Sequence, residues 1–253
     1  SALSATGRSR PLTRNADGLL PAEGAALLVL KRLDDALAAG DRILGVIRGV
    51  GLSNDGSERG LLAPDTKGQT RAMRRAYGMS GVDPASIGFV ECHATGTTAG
   101  DSEEVASMAA IFAGVGDLPV GALKGNLGHL ITASGAASVL KILGAFESGL
   151  LPPTIDAEQP IEVMRSTPMR LLAGPEPWRS DRPRMAAVNA FGFGGNNAHL
   201  ILEEPPSATT VRSVSVMPPR PPADDIAVCG IGVAIGDSSD LGAFVTRLRQ
   251  AAG

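Results

Sequence analysis

Of the three histidines in the chain, two sit where a reacting group could sit. His93 lies in Glu91-Cys-His-Ala-Thr-Gly-Thr, directly after an apolar run. His129 lies in Lys124-Gly-Asn-Leu-Gly-His, between two apolar runs. A neutral imidazole can donate a hydrogen bond to a developing negative charge, or take up a proton near neutral pH. Side chains on Gly-rich turns at strand ends are held by a rigid scaffold yet open to a cleft. A single histidine on a turn is ordinarily structural. Two in equivalent turns, one with Lys124 five residues earlier, make chemistry the competing reading, and residue types alone go no further. Metal binding is not expected, because no His-x3-His or Cys-x2-Cys spacing occurs. Asp101, Glu103 and Glu104 could offer oxygen ligands, but they more simply cap a helix beginning after Gly100. A third segment, Phe191-Gly-Phe-Gly-Gly-Asn-Asn-Ala-His, has the glycine density that lets another chain or a ligand approach the backbone closely. It lacks dinucleotide-loop spacing, and in Gly230-Ile-Gly-Val-Ala-Ile-Gly the third glycine comes one residue late.

The elements that must carry these residues follow from apolar periodicity. Apolar runs at residues 25–30 and 87–92 read as strands covered on both sides, and 42–50 and 118–123 read as two further strands. Residues 185–191 and 199–202 read as two more strands, joined through the Gly-rich turn. Helical spacing covers 34–39, stopped by Gly40, then 67–77, stopped by Gly78, and 101–113, with acidic residues in its first turn. Residues 131–146 form a helix that is apolar on nearly every side, and the strands at 25–30 and 87–92 also need cover. Such alternation predicts a layered α/β domain with helices on both faces of mixed sheets.

Composition bounds the rest. The chain has 253 residues, 43% of them apolar and only 3% aromatic, with 32 Gly and 18 Pro. That suits a turn-rich α/β globule with an aliphatic core, not a coiled coil. A formal charge of −3 leaves no basic field for nucleic acid. Two cysteines, Cys92 and Cys229, support neither a disulfide framework nor a four-cysteine zinc site, so a reducing, cytoplasmic setting is expected. No apolar run reaches the roughly 18 residues of a membrane span. The opening residues are polar and Arg-bearing, unlike a secretory leader, and a start on Ser1 predicts a processed or truncated product. Six prolines fall between Pro205 and Pro222, which predicts a linker over 205–224 after a first domain at 1–204. A new apolar run then opens at Ile226, so 225–253 reads as the start of a following folding unit.

Taken together these segments resemble the β-ketoacyl synthases, the condensing enzymes of fatty-acid and polyketide assembly. Asp17-Gly-Leu-Leu-Pro-Ala-Glu23 followed by Val-Leu-Lys-Arg-Leu resembles the stretch past that family's nucleophile. The His93 and His129 segments resemble its two histidine motifs, and Leu151-Pro-Pro-Thr and the Phe191–Gly195 turn complete the family order. The resemblance implies a thiolase-like fold, layered α-β-α-β-α, with 1–204 as its C-terminal half only. It implies decarboxylative Claisen condensation of an acyl thioester with a malonyl thioester on an acyl carrier protein. A cysteine in the N-terminal half would carry the acyl group, and that half lies outside this chain. His93 and His129 would face the malonyl thioester oxygen, and Lys124 would hold the second histidine's loop. Thr95 and Thr97 would bond the phosphopantetheine arm, Phe193 would gate the acyl pocket, and Gly194 and Asn126 would join the substrate-binding positions. Asp17, Glu23, Asp101 and Glu104 would be structural, as would His199. The implied partners are the acyl carrier protein, the N-terminal half and a second ketosynthase in a dimer, with no bound cofactor. Cys92, beside His93 at a strand end, does not match the nucleophile, and Ser138 and Thr132 stand where some members carry Glu. Residues 225–253 resemble the opening of another ketosynthase-like domain, as in synthases that pair a ketosynthase with a chain-length factor. A non-catalytic chain-length-factor-like or scaffold half, a malonyl decarboxylase variant and a coenzyme A thiolase remain alternative readings. The two histidines disfavour the first, and the Lys-x4-His and Phe-Gly-Phe-Gly-Gly patterns disfavour the last.

Overall fold

Helices and strands alternate after an irregular opening in the computed structural model, which describes residues 2–56, 63–157 and 159–205. In chain order these are α1 (Leu33–Ala39), β1 (Val46–Asn54), α2 (Thr66–Ser80), β2 (Phe89–Glu91), α3 (Thr98–Ile111) and β3 (Leu118–Gly121). Then come α4 (Lys124–Leu127), α5 (Ser134–Ser148), β4 (Leu150–Leu151), β5 (Met169–Leu171), β6 (Glu176–Pro177), β7 (Met185–Gly192) and β8 (Asn196–Glu203). The chain divides into units Ser1–Val211 and Arg212–Gly253. The expected linker from residue 206 on, the expected segment 225–253 and Cys229 lie outside the described residues.

One six-stranded sheet, in the order β1-β8-β7-β2-β3-β5, organises the first unit. It is mixed: β8 runs antiparallel to both β1 and β7, whereas β2, β3, β5 and β7 pair in parallel. Neighbouring side chains on a strand point to opposite faces. Phe89 therefore packs with Val188, Leu202 and the α5 residues Val139 and Ile142. Val90 packs on the other face with Ala187, Ile201 and the helix residues Met73, Val105 and Met108. Both faces are thus dry along β2, β3 and most of β7, whereas the edge strand β1 leaves Ile47, Val50 and Leu52 partly exposed. The C-terminal ends of β2 and β3, which lead into the His93 and His129 turns, are adjacent and parallel and open onto the same side.

Several boundaries differ from the sequence reading. Residues 25–30 form no strand, and Leu27, Val29 and Leu30 are 94%, 98% and 72% exposed. Apolar residues make a strand only where an edge is available to pair with, and no described strand lies alongside these. The second helix passes Gly78 and stops at Gly81, whose φ of 68° gives the left-handed cap that ends the backbone ladder. The edge strand begins at Val46, four residues later than expected at 42. The helix expected at 131–146 starts at Ser134 after a short 3-10 turn, and its cover is one-sided: Val139, Ile142 and Phe146 are buried while Leu140 is half exposed. Strands β4, β5 and β6 had no expectation, because two or three residues show no period.

Helix α2 lies directly against β1, and glycine makes that approach possible. A Cβ on Gly51 would stand 1.9 Å from the Ala72 carbonyl oxygen. Gly51→Ala is therefore expected to destabilise the fold by at least about 3 kcal/mol, the upper range for overpacking. Chemical denaturation checks it; an unchanged midpoint would show that α2 and β1 are not in this contact.

Candidate functional site

Strand β2 ends on Glu91, whose carboxylate is completely buried. Its Oε1 accepts from the Leu123 backbone N–H at 2.6 Å, and its Oε2 accepts from Lys141 Nζ on α5, also at 2.6 Å. One carboxylate thus ties the first turn to the second, since Leu123 begins the turn that carries Lys124 and His129. The next residue, Cys92, points into the core, with its Sγ 3.7 Å from Met108 Sδ. Burial, then Glu104, pushes its thiol well above the usual range. Cys92 is therefore no thiolate nucleophile.

His93 follows, and its peptide is clamped from both sides. Its N–H donates to Glu104 Oε1 at 2.8 Å, and Lys124 Nζ donates to its carbonyl oxygen. Ala94 N–H donates to Glu104 Oε2 at 2.7 Å. Ala94 takes φ of 28°, a conformation an alanine does not choose by itself, so the turn is imposed by its surroundings. Asp101 works likewise, accepting from Leu12 N–H at 2.7 Å and Gly96 N–H at 3.1 Å. Burial raises Asp101 to about 7. The acidic residues expected to cap a helix thus do something else. The helix begins at Thr98, and Asp101 and Glu104 turn back into the loop before it, while Glu103 bonds Thr66 Oγ1.

The second turn is pinned through its backbone. His129 N–H donates to Leu20 O at 2.7 Å, and His129 O accepts from Ala22 N–H at 2.9 Å. Its ring orientation is fixed as well. Ile131 N–H donates to Nδ1 at 3.0 Å, with Ser134 Oγ also 3.0 Å away. A nitrogen that accepts from an amide carries no proton, so neutral His129 bears its hydrogen on Nε2. The two rings lie 5.5 Å apart and nearly perpendicular.

Burial, reinforced by a neighbouring positive charge, keeps both rings neutral. Burial and then the Lys124 ammonium lower His129 to about 4, and the same two causes, followed by His129, hold His93 well below the usual histidine range. Burial also lowers Lys124, against the opposing pull of Glu91 and Glu104. The stability due to neutral His129 is whole above its ordinary value of 6.5 and is lost as pH falls toward about 4, because the unfolded chain takes the proton first.

Both imidazoles line one cavity of about 460 Å³, together with Thr95, Thr97, Ala190, Phe191 and Phe193. The Thr95 and Thr97 hydroxyls stand 2.9 Å apart, and Phe193 is 54% exposed. Asp55 and Asn197, which sequence reasoning did not single out, join this lining with a 2.5 Å side-chain bond. Gly194 stands next to the lining, with φ of 77° and a carbonyl that accepts from Asn54 Nδ2. Asn126 is not brought to the cavity; it is exposed on α4. Asp17 accepts from Ser4 Oγ at 2.7 Å and Thr6 N–H at 3.0 Å and so braces the opening loop, whereas Glu23 is exposed. His199 is fully buried, as a structural reading requires, but it bonds Asn189 and Tyr77. The sequence signal for that group is Asn189 inside the apolar run at 185–191 and His199 at the head of the apolar run at 200–202. Among the described residues no cluster of three or more His, Cys, Asp or Glu side chains could hold a metal ion. Such an arrangement can donate hydrogen bonds from uncharged groups to an oxygen that gains negative charge.

Comparison with known proteins bears on what that oxygen belongs to. The family described as Beta-ketoacyl synthase, C-terminal domain, matches residues 44–158, and the one described as Ketoacyl-synthetase C-terminal extension matches 158–223. Polyketide synthase GfsA of Streptomyces halstedii is 40% identical over 87% of this chain, which spans 3% of that protein. Pikromycin polyketide synthase component PikAIII of Streptomyces venezuelae is 39% identical over 86% of the chain, which spans 14% of it. The solved ketosynthase from module 6 of the bacillaene synthase of Bacillus subtilis 168 aligns with a TM-score of 0.77 at 38% identity. That match covers 81% of this chain and 39% of the other. A structure described as PfaC Keto synthase-Chain length factor aligns with a TM-score of 0.76 at 37% identity, over 99% of this chain and 27% of the other.

The Glu91–Lys141 pair permits a direct check of how the two turns are joined. Lys141→Met strands a buried carboxylate and is expected to cost about 3–5 kcal/mol. Adding Glu91→Gln is expected to recover much of that loss. Denaturant unfolding of the single and double variants measures both; equal stability of Lys141→Met and the parent would contradict the tie.

Proposed function

Since this chain belongs to the β-ketoacyl synthase family, with a thiolase-like α/β fold, we propose that its cavity stabilises the enolate formed when a malonyl thioester loses CO₂. The chain spans well under half of the solved relatives it matches, so the whole reaction is completed by the rest of a ketosynthase domain. In that reaction a cysteine thiolate from the N-terminal half attacks an acyl thioester, forms the acyl-enzyme and expels the carrier thiol. The bond between the malonyl carboxylate and the methylene carbon then breaks. CO₂ leaves, and the electron pair passes toward the thioester oxygen. That oxygen takes hydrogen bonds from His129 Nε2–H and from His93. The enolate carbon attacks the acyl-enzyme carbonyl, a carbon–carbon bond forms, and the cysteine thiolate departs.

The observation that carries this reading is the pair of imidazoles lining one cavity 5.5 Å apart, with His129 Nδ1 taken by the Ile131 amide so that Nε2 is left to donate. Uncharged donors suit an enolate that must form and then be consumed. A full positive charge beside it would trap it or protonate its carbon. We assign Thr95 and Thr97 to the phosphopantetheine arm of an acyl carrier protein, because their hydroxyls line the cavity next to His93. Phe193, at 54% exposed, suits a gate beside the acyl pocket. Residues 1–204 are read as the C-terminal half of the ketosynthase, 205–224 as a linker and 225–253 as the start of a following ketosynthase-like domain, of which a chain-length factor is one kind. The near-complete match to a ketosynthase–chain-length factor structure supports that last assignment. Among the described residues no helix is long and apolar enough to cross a membrane. Separately, from the family alone, we propose a cytoplasmic, dimeric synthase as its setting.

The test uses a ketosynthase domain completed with a cysteine-bearing N-terminal half. His93→Ala and His129→Ala are each expected to cut condensation about 10²–10³-fold, with transfer of the acyl group to cysteine largely kept. Equal loss of both half-reactions would contradict the assigned role. The 253-residue chain alone is expected to form no condensation product, because Cys92 is buried and protonated. Product from the purified chain would overturn the assignment of the nucleophile.

A further inference from the structure

We propose that Asn189, His199 and Tyr77 are positioning residues, forming a one-way hydrogen-bond chain that ends on Glu104 and so holds the His93 turn. This role rests on the condensing function proposed above. Asn189 and His199 face each other in register across β7 and β8 and project from the same face of the sheet, toward α2. His199 Nδ1 lies 2.6 Å from Asn189 Oδ1, its Nε2 lies 3.1 Å from the Tyr77 hydroxyl, and Asn189 Nδ2 lies 2.8 Å from Glu104 Oε1. All four side chains are buried.

Each donor follows from the one before it. A carboxylate only accepts, so Asn189 must present its amide nitrogen to Glu104 and its oxygen to His199. That oxygen accepts, so His199 carries its proton on Nδ1. Burial lowers His199 to about 3, so the ring is neutral and Nε2 is bare. Tyr77, whose hydroxyl burial holds in its protonated form, then donates to Nε2. The order is Tyr77 to His199 to Asn189 to Glu104, with every dipole in the same sense, and aligned bonds strengthen one another.

Glu104 needs that help. Burial raises its carboxyl, whereas the amides of Ala94 and His93, the Asn189 amide and the Lys124 ammonium lower it. Asp101, one turn earlier on α3, and the Cys92 thiol also face this region; Asp101 disfavours a second negative charge. A protonated Glu104 would set an O–H against the N–H of His93 or Ala94, and the strained turn at Ala94 would lose its hold. The chain thus favours the ionised form against burial and aims the carboxylate, although none of its members touches substrate.

Two readouts on a completed ketosynthase domain test this. Long-range proton–nitrogen correlation of the histidine side chains is expected to show His199 neutral and protonated on Nδ1 from about pH 5 to about pH 8. A proton on Nε2, or titration in that range, overturns the chain. In kinetics, Asn189→Leu removes one charged hydrogen bond and is expected to lower condensation kcat about ten- to hundredfold. KM is expected to hold, and the acid limb of the pH profile should move upward as Glu104 becomes easier to protonate. Ile201→Val, a buried change on the neighbouring strand β8 and outside the hydrogen-bond chain, is expected to lower stability without moving that limb. If both variants move it equally, or neither does, the positioning role fails. If the parent domain does not condense at all, the proposed function falls, and the His199 tautomer still decides whether the hydrogen-bond chain exists.

Discussion

Three charged side chains, Glu91, Glu104 and Lys124, are buried beneath one pair of turns, and the site depends on how they are satisfied. Removing a carboxylate or an ammonium from water costs several kcal/mol unless partners replace the lost hydration. Here the replacements are largely backbone groups of the two histidine-bearing turns themselves. Glu104 is satisfied by the amides of His93 and Ala94, Lys124 by the His93 carbonyl, and Glu91 by the Leu123 amide and Lys141. The cost of burial is therefore met only when both turns adopt the geometry that aims their histidines. This couples the stability of the interior to the shape of the site.

The sheet supplies what the charges cannot. Parallel neighbours β2 and β3 end side by side, so the turns that follow them are neighbours as well. Packing on both faces fixes those strands, with α2 and α3 on one side and α5 on the other. Helix α5 has a further part. Its Ser134 touches the His129 ring at one end, and its Lys141 reaches Glu91 two turns later. A single rigid element thus sets both the orientation of one imidazole and the anchor between the two turns.

Much of this was legible in the sequence, for identifiable reasons. Strand and helix positions followed from apolar period, because most of the sheet is covered on both faces. The two histidine turns stood out because imidazoles are scarce and both follow strands. Residues 25–30 misled because apolar character marks the wish to pair without naming the partner. Asp101 and Glu104 were assigned to a helix cap because helical position is visible in sequence, whereas a carboxylate's turn back toward an upstream loop is not. The bond between Asn189 and Glu104 joins residues 85 positions apart, beyond any local pattern. Its trace was an amide side chain inside one apolar run and an imidazole at the head of another.

We propose that His129 serves as a neutral donor through Nε2, with its Nδ1 occupied by the Ile131 amide. A pH titration of the His129 ring by side-chain proton–nitrogen correlation, in a completed ketosynthase domain, tests it most directly. The expected result is a ring protonated on Nε2 that gains its second proton only near about 4. A ring protonated on Nδ1 at neutral pH, or one that titrates at its ordinary value of 6.5, would contradict the account.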